Sequence, residues 1–316
     1  MVKLFLSNRA IVVFLLPFII GAYLGVGFYN QQFIASETIN LGFFGVLTID
    51  PLFTTILSFL LLFLNAFTIN YLFNQNEFYE RNMYLPSLLY VVLMSFYHSF
   101  YKMDGVLIAH TLLILCLRQL FQLKQNEDGR KLIFNAAFLG GLAAIVHPPF
   151  VILLPFLFIM VWSIRPFVLR ESLLLITGFG IPLIYGGIYL KWLDSSINLQ
   201  LLKQATTYEN QLLNYYVTTG IMALMLFLGM IGIQSKVSKS SIRLKKIVRI
   251  LWILLLISAL FGIGDFLIFH QIERFSFIII SLCFFLPYVF IHKTWAPIAS
   301  GIFYLAFIYS FIKFFI

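Results

Sequence analysis

LFTTILSFLLLFLNAFTINYLF (Leu52–Phe73) and ILWILLLISALFGIGDFLIF (Ile250–Phe269) are continuous apolar runs. Neither alternates polar with apolar as a half-buried strand does, and each is long enough to reach across a bilayer as a helix. Lipid offers no water to backbone N–H and C=O groups, so only helices and closed barrels cross it. The two runs therefore predict an all-α, polytopic transmembrane bundle. Composition agrees: 61% of the residues are hydrophobic and 10% charged, against about 25% charged in a soluble domain. That pool cannot coat a water-facing surface.

Working outward, eleven stretches are expected to span, near residues 10–29, 52–73, 84–100, 105–122, 133–147, 150–164, 172–190, 216–234, 250–269, 275–291 and 296–315. With a cytoplasmic N-terminus, sixteen of the 21 Lys and Arg fall on one side, and Lys102, Lys191, Lys203, Arg274 and Lys313 on the other. Basic loops stay cytoplasmic, so the sorting predicts a multi-pass inner-membrane protein with its N-terminus inside. Lys3 and Arg9 precede an apolar run as in a secretory signal, but that run is long enough to span and no small-x-small site ends it. An uncleaved first helix is expected. The net charge of +9 lies in loops flanking helices, so membrane lipids with anionic headgroups are the expected partner and nucleic acid is not. Cys116 and Cys283 lie within apolar runs and read as packing residues.

The order suggests a seven-helix module over 1–190, an outer-face amphipathic segment over 191–215, and a four-helix module over 216–316. In the middle segment Leu193, Ile197, Leu201 and Leu202 recur at helical spacing among polar residues. His147-Pro148-Pro149 breaks the chain between two short spans, which must thin the membrane or lie deep in the bundle.

Titratable groups are scarce, and most of the Asp, Glu and His fall on or near the outer side. Asp50 precedes Pro51 and suits a helix N-cap; a general base or metal ligand is the functional alternative. Glu37 lies among polar loop residues. Asp265 falls deep in an apolar run after Gly262 and Gly264, where a carboxylate costs roughly 2.5–3.5 kcal/mol unless paired or hydrated. Arg274, His270 and Glu273 are its expected neighbours, and an outer boundary near Asp265 is the bland alternative. Arg274, the one outward Arg, either holds a lipid phosphate or snorkels beside Glu273. Lys102 and Asp104 form a tight-turn pair, and His147 is either a site residue or a satisfied turn residue. HExxH, Walker, GxSxG and CxxC motifs do not occur. No cofactor is expected; a divalent metal stays open, without a ligand spacing to recommend it.

Gly140-Gly141-Leu-Ala-Ala-Ile-Val-His147-Pro148-Pro149 resembles the short Gly-rich, Pro-turned hairpin of GT-C-type glycosyltransferases, membrane enzymes that use polyprenyl-phosphate sugars. The similarity covers roughly residues 1–190. It implies a catalytic acid in the first outer loop, here Asp50 or Glu37, although neither reproduces the family's acid close after helix 1. Arg274 would bind the carrier phosphate, with His147, Asp265, His270 and Asp104 in support. The chain also resembles inner-membrane proteins of Bacteroidota, a likeness that supplies no activity. Three readings follow: a GT-C-like enzyme acting on a lipid-linked sugar at the outer face, a non-catalytic scaffold or accessory subunit among other envelope membrane proteins, and a transporter. An enzyme predicts that Asp50, Glu37 and Arg274 converge on one cavity, whereas a scaffold predicts that they diverge, with an apolar lateral groove instead.

Overall fold

A computed structural model of the chain describes residues 1–29, 38–124, 127–192, 212–238, 240–269 and 272–313. The helices are α1 (Val2–Phe5), α2 (Leu16–Tyr29), α3 (Pro51–Gln75), α4 (Leu85–Met94), α5 (Gly105–Phe121), α6 (Arg130–Val146), α7 (Leu153–Ile164), α8 (Leu169–Trp192), α9 (Leu212–Val237), α10 (Ile242–Phe269), α11 (Ile278–Phe285), α12 (Pro287–Ile291) and α13 (Ala296–Ile312). Strands β1 (Thr38–Asn40) and β2 (Val46–Thr48) form an antiparallel hairpin with Ile39 opposite Leu47.

Among the described residues, six segments are long and apolar enough to cross a membrane: Ala10–Tyr29, Pro51–Gln75, Leu169–Trp192, Tyr216–Gln234, Ile242–Ile268 and Glu273–Ile291. The protein is an all-α, multi-pass membrane protein. The expected eleven crossings are not reached. The other five stretches fall on α4, α5, α6, the segment Pro148–Ile164 and α13, which hold 10 to 17 residues. Seventeen residues reach about 25 Å and ten about 15 Å, short of a hydrocarbon core of roughly 30 Å. Apolarity misleads here for a physical reason. A helix that is apolar all round faces either lipid or a core, and every residue of α4 is buried inside the protein.

α4 and α11, the latter also wholly buried, pack against each other at the centre. Burial covers 89% of Glu273–Ile291 but only 28% of Leu169–Trp192. Thus α8 lies at the perimeter, with Leu173, Ile176, Ile184 and Ile188 outward. It is held by α6 through two glycines: a Cβ on Gly141 would lie 2.5 Å from the Phe179 carbonyl, and one on Gly178 2.8 Å from that of Phe134. Small residues admit this backbone approach, which drives helix association in lipid. The 191–215 segment is not a separate element at its ends, since Lys191 and Trp192 complete α8 and α9 starts at Leu212. Its Leu193, Ile197, Leu201 and Leu202 pattern lies outside the described residues.

The two ends of the bundle differ. At the basic end Lys246 Nζ donates to the Ile164 carbonyl at 2.8 Å, Arg243 Nη2 to Asn76 Oδ1 at 3.2 Å, and Arg165 Nη1 to the Lys124 carbonyl at 2.7 Å. At the hairpin end the β1–β2 loop sits on the C-terminus of α6. Gly42, at φ +61°, lies where a Cβ would be 2.2 Å from the Ile145 carbonyl and 2.9 Å from Pro148 Cδ. Gly105 fits between the carbonyls of Val146 and Asn40, and Phe43 fills the space over Gly186.

Gly42 and Gly45 separate strain from contact. Gly45 has φ +75° and ψ −155°, a backbone region essentially confined to glycine, with open space around its Cβ position, so Gly45→Ala should cost about 1–3 kcal/mol, the backbone strain alone. Gly42→Ala adds the clash with Ile145 and should lower the melting temperature in detergent distinctly further. Equal losses would mean that the hairpin does not seat on α6.

Candidate functional site

Gly262 and Asp265 stand three apart on one face of α10, and this face meets the segment Glu273–Phe277, a 3₁₀ turn leading into α11. A side chain at 262 would strike the Phe275 ring at 2.3 Å. The glycine thus lets the turn lie flat on α10, and Arg274 reaches Asp265: Nη1 stands 2.6 Å from Oδ1, with the side chains 7% and 1% exposed. The Arg274 Nε donates to His147 Nε2 at 2.9 Å. An arginine nitrogen only donates, so His147 Nε2 accepts and the ring proton sits on Nδ1. His147 holds its place as the C-cap of α6, before Pro148.

The neighbouring residues of the same turn reach other elements. Glu273 Oε1 accepts from the His98 backbone N–H at 3.0 Å, and Oε2 lies 3.2 Å from Ser99 Oγ. Ser99 Oγ also donates to Asp104 Oδ2 at 2.8 Å, so one hydroxyl links two buried carboxyl groups. Asp104 Oδ1 caps α5 by accepting from Leu107 N–H at 2.8 Å. Ser276 Oγ meets His110 Nε2 at 3.1 Å, while the His110 ring stacks on Phe277 at 4.4 Å. Tyr90 and Asn65 continue the chain of polar contacts inward, with Asn65 Nδ2 donating to Tyr90 Oη at 3.1 Å. Lys313 donates to the Ser95 carbonyl beside this group and lies 5.1 Å over the Tyr101 ring.

Of the residues singled out in the sequence, Arg274, Asp265, His147 and Asp104 thus gather at the hairpin end, all buried. Arg274 pairs with Asp265 and not with Glu273, and both side chains are buried within the protein. Asp50 is an exposed N-cap of α3 whose Oδ1 accepts from Leu52 N–H at 2.8 Å. Glu37 and His270 lie outside the described residues. Sequence reasoning missed the Ser99 link, the Tyr90–Asn65 continuation and Glu273 as a bridge to the α4–α5 turn. Only the rarity of carboxylates in so apolar a chain could have flagged Glu273. No protein-family model, curated protein or solved structure matches this chain.

Chemically, the arrangement fixes charges and holds protons at defined atoms. Burial, with the Lys102 and Lys313 charges nearby, pushes the His98 imidazole down to about 4. A depressed histidine is neutral when folded, whereas the unfolded chain takes up a proton below about 6.5. Stability from this group is therefore present above pH 6.5 and is lost as pH falls towards 4, by up to about 3 kcal/mol. His98→Asn should flatten the stability profile between pH 6.5 and 4 relative to wild type. An unchanged slope would remove His98 as its source.

Breaking the ion pair from one side strands a buried charge, which typically costs about 3–5 kcal/mol. Asp265→Asn and Arg274→Gln should each destabilise on that scale, and the double substitution by clearly less than their sum. Additive losses in denaturant-induced unfolding would show that the two side chains act independently.

Proposed function

We propose that the protein is a non-catalytic scaffold or accessory subunit of a cell-envelope membrane complex, and that its hairpin-end polar centre is a lock between helices. The observation that supports this is mutual commitment: Arg274 is paired to Asp265 and His147, Glu273 and Asp104 share Ser99, and Asp50 caps its own helix. A carrier phosphate would have to displace a buried carboxylate to reach Arg274. Asp50, exposed, and Arg274, buried, occupy different environments, as the scaffold reading requires. In this reading the chain sits in the inner membrane with its basic end cytoplasmic, and the short helices α4 and α5 are packed mostly inside the bundle.

One observation favours a second reading, a GT-C-like enzyme acting on a polyprenyl-phosphate-linked sugar. The β1–β2 hairpin, between the first two spans, rests on the turn that carries His147, and His147 holds Arg274. The first loop of such an enzyme carries its acid, here Asp50 or Glu37, and Arg274 would face the carrier phosphate.

The double variant D265L/R274M removes both charges while keeping volume, a change that buried pairs often tolerate. For a scaffold, the wild type purified in mild detergent should bring a larger envelope protein in fixed stoichiometry, and the variant should keep it. Recovery of the wild type alone with a polyprenyl-phosphate lipid, lost in the variant, would overturn the scaffold reading in favour of the enzyme.

A further inference from the structure

The basic end carries a cleft of about 210 Å³ between α5, α7 and α10. Its floor is apolar, including Leu120, Phe121 and Ile247, and its rim holds three cations, Lys124, Arg243 and Lys246. No acidic side chain is among the described lining residues. Two of the cations are held in position by other elements: Lys246 by the last carbonyl of α7, Ile164, at 2.8 Å, and Arg243 by Asn76 Oδ1 at 3.2 Å. Lys124 also meets Glu127 at 2.6 Å, outside the cleft lining. Ile242, 77% exposed, continues the apolar wall outward beside Arg243.

A soluble anion has no use for the greasy floor, and an apolar helix has no use for three cations. One kind of molecule matches both. We infer that this cleft binds an anionic phospholipid, with the headgroup phosphate among Lys246, Arg243 and Lys124 and an acyl chain leaving along Ile242. The guanidinium of Arg243 fits phosphate oxygens as a fork, and Lys246 adds a point charge. The volume suits a phosphate with its glycerol, so the chains must run along the outer face of the bundle. Basic pockets between helices on the cytoplasmic side are a known physical setting for such lipids. The assignment is independent of the hairpin-end centre and of the function proposed for it.

Native mass spectrometry of the detergent-purified full chain, titrated with phosphatidylglycerol and with phosphatidylcholine, tests the site. The wild type should retain phosphatidylglycerol preferentially. R243Q/K246Q should weaken that retention by roughly 25-fold, about fivefold for each basic residue near an anionic lipid. K3Q/K293Q removes the same charge from exposed positions elsewhere and should leave retention nearly unchanged. Arg243 is itself exposed, so R243E provides a variant expected to fold even if the double one does not; it should lose the lipid. Equal weakening in K3Q/K293Q would overturn the inference, since the attraction would then be diffuse. Retained binding in folded R243E would do so as well. Displacement of the lipid by equimolar glycerol phosphate would reassign the cleft to a soluble anion.

Discussion

A guanidinium inside an apolar bundle must be neutralised where it lies. Among the described residues Arg274 pairs with the carboxylate of Asp265 on α10 and has a second anchor in the His147 ring at the end of α6. Much of the hairpin end follows from that requirement. The turn Glu273–Phe277 cannot shift along α10 without pulling Arg274 from Asp265. Its neighbours Glu273 and Ser276 are thereby delivered to Ser99 and His110. One short turn thus ties together α10, α6, α5 and the α4–α5 connection. It leads directly into α11, the helix that packs on α4 at the centre.

Glycines allow this closure and polar groups specify it. Gly262 admits Phe275, Gly42 admits the α6 carboxyl end, and Gly141 and Gly178 admit the neighbouring backbone. Leucine-rich helices pack against one another in many registers, because lipid tails and leucines are equally apolar. A buried ion pair is a poor device for raising stability, since well-packed apolar residues often do as well. It does single out one arrangement, because only one register brings Arg274 to both Asp265 and His147.

The sequence made the membrane class and the unusual charges legible through cost. A carboxylate within Ile250–Phe269 had to be interior and paired or else interfacial, and a single arginine among apolar outer segments stood out for the same reason. Asp50 before Pro51 was legible as a cap, because aspartate accepts from free N–H groups and proline at the next position lacks one. What could not be read was which partner each charge takes. Adjacent Glu273 and Arg274 look like a surface pair, yet successive residues of a tight turn point in different directions and serve different helices. The crossing count failed on a related point. Hydropathy reports the absence of water around a helix, and α4 meets that condition inside protein and not in lipid.

The same distinction separates the two ends as chemical surfaces. At the hairpin end Arg274 is buried and paired with Asp265, so a ligand approaching it would have to outcompete an existing partner at low dielectric, where that partner binds most strongly. At the basic end Arg243 is exposed and Lys246 half-buried, around an apolar hollow, so an anion arriving from the headgroup layer loses little of its hydration and meets positions already fixed. Burial depth, more than the number of charged residues, therefore decides where this molecule is locked and where it remains open to binding. The polar centre that attracts attention in the sequence is the closed one, and the loops that read as a topology signal hold the accessible cations.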